Sequence, residues 1–345
     1  MNLENLKSIL KDEPKFRYKQ LSEAIYKKMI KSWSEASNIP KALIEKLQNN
    51  CPIEIDGNII ESKILTGKKQ SGTLKALIKL HDSLEIETVL MMHPDGRNTV
   101  CVSSQVGCPL ACSFCATGEM GYRRNLNSSE IVEQVLFFAR YLKDNFNEER
   151  FVTNIVFMGM GEPMLNYENV WRAISIFNDK EKFNIGARKI SISTVGIVRG
   201  IKKMTKEKLQ VNLAISLHAP NEKLRTSLIP SNKNNSLKEI LKIVDTYIQK
   251  TGRQVMFEYV MIDGVNDSIK NARELADLMN KPLCMVNIIP LNQTERFKAS
   301  SRDRIDKFKK ILLGKKIKVS ERFSYGGDIA AACGQLSRKK LKLNG

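Results

Sequence analysis

The chain has 345 residues, of which 42% are hydrophobic and 27% charged, and it carries a formal net charge of +19. That length suits one large domain with a smaller one, or two ordinary domains, and the apolar share is that of a globular protein with a real core. No apolar run reaches the roughly 18–20 residues of a membrane span and the charged start MNLENLKSILKDEPKF has no secretion signal, so the expectation is a cytoplasmic protein with no membrane partner; the positive charge is foreign to an enzyme of small neutral metabolites and suits a protein that neutralises phosphates, though a lysine-rich proteome would give it too.

The first 50 or so residues read as helices. In FRYKQLSEAIYKKMIKSW, Leu21, Ile25 and Met29 recur at helical spacing among Lys19, Lys27, Lys28 and Lys31. Pro40 restarts a second helix through Leu43, Ile44 and Leu47. Such a module either touches RNA or packs with a solvated face. From Thr73 the period changes to two, with Leu74, Ala76, Ile78 and Leu80 on one face. Strands Glu85–Met92 and Asn98–Ser103 flank the turn Pro94-Asp95-Gly96. A helix then starts at Asn127, with Glu130 placed for a capping box. Strand candidates follow at Asn154–Phe157, Lys189–Ser193, Val211–Ser216, Gln254–Met261, Met285–Ile289 and Ile317–Glu321, with helical patterns such as Leu237–Gln249 and Ile269–Met279 between them. This alternation predicts an α/β fold, a partial (β/α)6-type TIM barrel preceded by a helical accessory domain, with its site at the carboxyl ends of the strands.

The chemistry concentrates in CVSSQVGCPLACSFCATG. Cys108, Cys112 and Cys115 stand in C-x3-C-x2-C spacing just after a strand. Structural zinc wants four ligands, and no second C-x2-C or H-x3-H pair supplies them. A [4Fe–4S] cluster takes one thiolate per iron, so three thiolates leave one iron open to the amino and carboxylate groups of S-adenosylmethionine. VFMGMGEP sets Gly159, Gly161 and Glu162 after the next strand, where glycines admit close backbone approach and the carboxylate can accept from an ammonium. Ser193, Ser216–His218 and Asn292 end further strands and could donate to a carboxylate or ribose, or serve only as strand caps. Cys101 precedes the cysteine loop, and Cys333 lies among Gly326, Gly327 and Gly334 near the C-terminus; each is a buried core thiol or a residue that visits the site.

Five blocks, CVSSQVGCPLACSFCATGEMGYRRNL, FMGMGEPMLN, AISLHAPNEKLR, FEYVMIDGVNDS and DIAAACGQL, together resemble the radical S-adenosylmethionine RNA methyltransferases of the RlmN/Cfr family from about Thr73 onwards. The resemblance implies one [4Fe–4S] cluster on Cys108, Cys112 and Cys115, with S-adenosylmethionine, two molecules per turnover, bound by Gly161, Glu162, Ser193, Ser216, Leu217, His218 and Asn292. It implies that Cys333 carries a methyl group as S-methylcysteine, that a radical formed from the second cofactor molecule activates that methyl for addition to an adenine carbon, that Cys101 resolves the adduct by a transient disulfide with Cys333, and that Glu87 is the proton acceptor. The implied partners are 23S rRNA at the peptidyl-transferase centre, tRNA at the adenine 3′ of the anticodon, and a flavodoxin or ferredoxin electron donor, with a monomeric enzyme. AISLHAP and FEYVMIDGVNDS are similar to the branch that methylates C2; CATGEMG and STVGIV lean toward the resistance branch that methylates C8. Ala330 stands where the family has an aspartate, and QTERFKASSRD after Asn292 lacks the family's proline- and glycine-bearing loop. A non-catalytic RNA-binding or ribosome-assembly factor on the same fold would lack some of these five cysteines, all of which are present. Arg123 and Arg124, just past the cysteine loop, are candidate RNA contacts. The domain division expected is 1–65 helical accessory, 66–93 a β segment leading into the core, 94–323 the partial barrel, and 324–345 a C-terminal loop with Cys333 and a basic tail.

Overall fold

The structure, a computed structural model, describes residues 3–65, 71–146, 151–292, 296–322 and Leu336. It opens with three helices, α1 (Leu3–Ile9), α2 (Lys15–Tyr26) and α3 (Lys41–Asn50), and a short 3₁₀ turn at Trp33–Glu35. The helix read through Met29 stops at Tyr26. Met29 takes a left-handed φ of 55°, and the Ile30 amide donates back to the Ala24 carbonyl at 3.2 Å. That closure ends the helix and turns Ile30 and Trp33 inward, where Trp33 Nε1 donates to the Cys51 carbonyl at 2.8 Å. Pro40 sits at the N-cap of α3 and sets its start.

Twelve strands follow among the described residues: β1 (Gly57–Leu65), β2 (Ser71–Lys79), β3 (Glu85–Met92), β4 (Asn98–Cys101), β5 (Gln105–Gly107), β6 (Tyr122–Asn125), β7 (Asn154–Phe157), β8 (Ile190–Thr194), β9 (Asn212–Ser216), β10 (Val255–Met261), β11 (Cys284–Pro290) and β12 (Lys318–Glu321). The helices of the core are α4 (Ala116–Glu119), α5 (Ser128–Asn145), α6 (Tyr167–Asn178), α7 (Val198–Met204), α8 (Glu222–Leu228), α9 (Leu237–Thr251), α10 (Ile269–Met279) and α11 (Arg302–Gly314). One ten-stranded sheet runs in the order β1-β2-β3-β4-β7-β8-β9-β10-β11-β12, antiparallel from β1 to β4 and parallel from β4 onwards.

In the parallel part each strand lies beside its predecessor in sequence, with no reversal of order. Right-handed crossovers then put every helix on one face, as in a (β/α) barrel, and leave the other face as an interior. The sheet is curled. Arg322, just after β12, donates from Nη1 to Met158 Sδ, just after β7, at 3.1 Å. Five strand spacings separate β7 from β12, about 24 Å if the sheet were flat. The expected partial barrel is therefore present, as six strand–helix units and a closing strand, with three antiparallel strands, β1 to β3, added at the β4 edge.

Local chemistry sets the joints. Asn127 and Glu130 form the anticipated capping box at α5. Arg140, on α5, is buried and donates to the carbonyls of Ile53 and Ile30, which fastens the N-terminal helices to the core. No helix among the described residues is long and apolar enough to cross a membrane.

Candidate active site

The cysteine loop is an excursion between two short strands. β5 and β6 pair antiparallel, and residues 108–121 bulge out between them. Gly107 closes the neck with φ of 74°, and a Cβ there would stand 1.8 Å from the Gly121 carbonyl oxygen. Only glycine lets the Cys108 amide reach that oxygen, at 3.0 Å. The loop is then wound by Cys115 N to Cys112 O at 3.1 Å and Gly118 N to Cys115 O at 2.9 Å. All three cysteines are half-buried on one wall of a pocket at the carboxyl ends of the strands.

The donor set fits an iron–sulfur cluster. Burial pushes the Cys108 thiol up to about 12, with Glu162 and Cys115 adding to it, and burial with its cysteine neighbours raises Cys112 further. Such thiols ionise together only when a cationic group offsets their charge. Among the described residues no three Cys, His, Asp or Glu side chains converge closely enough to hold a single metal ion.

Opposite the cysteines lies the turn after β7. Gly161 has φ of 96°, and a Cβ on it would meet the Gln105 side chain at 2.5 Å. The glycine was expected to admit a ligand; what it admits first is the chain's own β5. Glu162 is buried, and its two carboxylate oxygens accept from Met164 N and Val195 N, each at 2.9 Å. Burial outweighs these bonds and raises its carboxyl to about 7.

Ser193, Ser216, His218 and Asn292 also line the pocket, so six of the seven residues expected around S-adenosylmethionine converge there, with Gly161 and Glu162. Leu217 does not line it. It is fully buried, its amide donates to the Glu258 carbonyl at 3.0 Å, and its carbonyl accepts from Arg225 Nε at 3.2 Å. His218 takes a left-handed φ of 58° and its Nδ1 accepts from the Val260 amide at 3.1 Å. Burial, with Arg225 nearby, lowers its pKa to about 3, so the ring is neutral and its Nε2 carries the hydrogen. The ring meets Phe114 of the cysteine loop edge-on, centroids 4.9 Å apart.

Three residues that the motifs did not single out organise this site. Arg225, on α8, is 1% exposed and donates to the carbonyls of Val195, Ser216 and Leu217 and to Asn232, stapling the ends of β8 and β9 together. Glu258, in β10, is 4% exposed and accepts from Ser193 Oγ at 2.6 Å. Arg322 approaches Glu258 Oε1 at 3.8 Å. A glutamate inside the otherwise apolar FEYVM was the available signal for Glu258. Nothing local marks the two arginines, whose partners are remote in sequence.

The other expected site residues are buried in the sheet outside the pocket lining or lie beyond the described residues. Cys101 ends β4, buried, and pairs in register with Val89 of β3 and Val156 of β7. Glu87 is buried on β3, with Lys75 Nζ 3.5 Å from its carboxylate; Lys75, itself buried, also approaches Glu61 at 3.4 Å. Neither Glu87 nor Cys101 lines the pocket. Cys333 and Ala330 lie outside the described residues. Leu336, three residues further on, is buried, and its carbonyl accepts from Thr117 Oγ1 at 2.5 Å. Arg124, a candidate RNA contact, is instead taken up by a bidentate pair to Glu130 at 2.8 and 2.9 Å and by Asp82 at 2.6 Å, whereas Arg123 is exposed.

The curled parallel sheet and the three-thiol loop at its carboxyl edge define a radical S-adenosylmethionine enzyme, and the model of the Radical SAM superfamily matches residues 102–276. A solved radical SAM methyltransferase from Sphaerobacter thermophilus is 43% identical and superposes with a TM-score of 0.89, over 97% of each chain. A probable dual-specificity RNA methyltransferase RlmN from Dictyoglomus thermophilum is 44% identical over 100% of this chain and 97% of its own length. One from Bacillus thuringiensis is 41% identical over 99% and 93%. The chain belongs to the RlmN family of radical SAM methyltransferases.

Proposed function

We propose that this enzyme methylates C2 of an adenine in the peptidyl-transferase centre of 23S rRNA, and the adenine 3′ of the anticodon in tRNA, by ping-pong transfer through Cys333 in the cytoplasm. The observation that carries the reading is full-length likeness, at 41–44% identity, to relatives named as dual-specificity RNA methyltransferases. The +19 charge supports a phosphate-bearing substrate. Base-modifying enzymes take their target out of the stack at a cost of about a few kcal/mol, least at loop positions such as these.

Cys108, Cys112 and Cys115 hold the cluster, and the pocket between them and Glu162, Ser193, Ser216, His218 and Asn292 holds the cofactor. When bound, the two supply a radical able to take hydrogen from a methyl group that has no acidic proton. The chain's own residues do the rest. The Cys333 thiolate takes a methyl from one S-adenosylmethionine, leaving S-adenosylhomocysteine. After that methyl carbon has bonded to the adenine, the Cys101 thiolate attacks the Cys333 sulfur; an S–S bond forms, the bond between sulfur and the transferred carbon breaks with its electron pair on carbon, which takes up a proton, and the methylated base leaves once the one excess electron of the adduct has returned to the electron-donor system. Glu87 accepts the proton given up by the adenine carbon. Two cysteines besides the cluster ligands are what this carry-and-resolve chemistry requires. A flavodoxin or ferredoxin supplies electrons, and the enzyme acts as a monomer.

Leu336 supports the scheme. Its carbonyl accepts from Thr117 of the cysteine loop, which ties a residue of the C-terminal segment to the cluster site. Replacement of the resolving cysteine tests it: Cys101→Ala should accumulate enzyme joined covalently to RNA, seen as a band of raised mass that ribonuclease trims. Release of methylated RNA from that variant at the wild-type rate would reject the scheme.

A further inference from the structure

Within the pocket, Glu258 and Ser193 are arranged to accept hydrogen bonds from a ligand and to donate none. Glu258 and Val260, two residues apart on β10, both face the pocket. Ser193 Oγ lies 2.6 Å from Glu258 Oε2 and 3.0 Å from Ser216 Oγ, and Ser216 Oγ lies 3.5 Å from the same carboxylate oxygen. A carboxylate can only accept, so the one hydroxyl hydrogen of Ser193 points at Glu258. What Ser193 shows the pocket is therefore a lone pair. Glu258 Oε1 is buried and has no hydrogen-bond partner among the described residues, with Arg322 at 3.8 Å. A buried carboxylate oxygen left in this state costs free energy unless a ligand supplies a donor.

We propose that Glu258 is the residue that reads the ribose of S-adenosylmethionine, its Oε1 accepting from a sugar hydroxyl while Ser193, oriented by its Oε2, accepts from the neighbouring one. The proposal rests on the cofactor site described above and adds to it a residue and a direction for each hydrogen bond. Position in the pocket selects the sugar over the amino-acid end of the cofactor. Glu162 stands at the base of the cysteine loop, its amide donating to Gln105 Oε1 of β5 at 2.8 Å, so the end of the cofactor that meets the cluster belongs beside it. Glu258 sits on β10 among the adjoining strand ends β8 and β9, where the next donors along the molecule are two adjacent hydroxyls. A carboxylate on a ribose diol is a solution that nucleotide-binding sheets use generally. The reading also reverses the polarity expected from sequence, in which Ser193 was to donate.

The test is a ligand-by-residue cycle on the full chain, reconstituted anaerobically with its cluster and followed by calorimetric binding rather than by turnover. S-adenosylmethionine and its 2′-deoxy and 3′-deoxy analogues would be titrated into wild type and Glu258→Met, with iron content measured on both. Wild type should bind at least one deoxy analogue about 10- to 100-fold more weakly than the parent. Glu258→Met should bind the parent with a similar loss, keep its iron, and show less than threefold discrimination between parent and that analogue. Additive losses, or a wild type indifferent to both deoxy analogues, would overturn the assignment; the wild-type arm stands even if the variant fails to fold. No binding of S-adenosylmethionine to cluster-loaded wild type would overturn the cofactor site itself and this proposal with it.

Discussion

Thr117, two residues past the last cysteine of the loop, donates its hydroxyl to the carbonyl of Leu336, 219 residues further along the chain, at 2.5 Å. Both residues are buried. The bond joins the cluster loop to Leu336, near the C-terminus of the chain.

Thr117→Val keeps the shape and removes the donor, at a local cost of about 1 kcal/mol. Iron content and S-adenosylmethionine binding should stay at wild-type levels. Labelled methyl on Cys333, and methylated RNA, should form about fivefold more slowly, that free energy expressed as a rate. Unchanged methyl transfer would show that the bond plays no part in presenting the C-terminal segment.

Arg225→Met removes a buried guanidinium that serves four partners. The orphaned carbonyls and the lost staple should cost about 3–5 kcal/mol in urea unfolding. Arg225→Lys should recover little of this, because one ammonium cannot reproduce the planar fork. A loss below about 1 kcal/mol would mean that β8 and β9 hold their ends without it.

Glu162 gives a pH signature. Its folded-state pKa of about 7 lies above the ordinary 4.5, so the folded protein holds more protons than the unfolded chain between those values. Stability from this group is fully present below about pH 4.5 and is lost as pH rises through 7. Without cluster or cofactor, wild type should therefore lose stability relative to Glu162→Gln between pH 5 and pH 8, by about a few kcal/mol. The check is a pair of urea titrations at each pH. A difference that grows in favour of wild type as pH rises would contradict the assigned cause.

Cysteine replacement separates ligands from core. Cys112→Ala should abolish retention of iron and sulfide after anaerobic reconstitution while leaving the far-ultraviolet circular dichroism intact. Cys284→Ala, at a buried position on β11, should retain a full complement and lose only about 1 kcal/mol of stability. Iron retained by the first variant, or lost by the second, would redraw the cluster site.

Much of the fold is written locally. Glu85–Met92, Asn154–Phe157 and Ile269–Met279 occur with the bounds their periodicity gives, and the Asn127–Glu130 capping box needs only four residues of sequence. β1 escapes notice because it is an edge strand whose Ile59, Ile60 and Ile64 alternate with exposed polar residues too irregularly to mark a face. β5 and β6 escape because three- and four-residue strands carry no period, and their pairing spans the whole cysteine loop. For the site, the motifs give the right strand ends in the right order. They do not say which side chains face inward: Leu217 turns to the core, Arg124 is consumed by Glu130 and Asp82, and Glu258 and Arg322 meet across strands two places apart in the sheet and remote in sequence.

The central claim is regiochemical, and one measurement bears on it directly. The full chain, reconstituted anaerobically with iron and sulfide, would be given S-adenosylmethionine, a reducing system and a 23S rRNA fragment containing the peptidyl-transferase adenine, and the digested nucleosides compared with synthetic standards by mass spectrometry. The account predicts 2-methyladenosine, and its loss in Cys333→Ala. 8-Methyladenosine, or 5′-deoxyadenosine with no methylated nucleoside from either this fragment or tRNA, would contradict it.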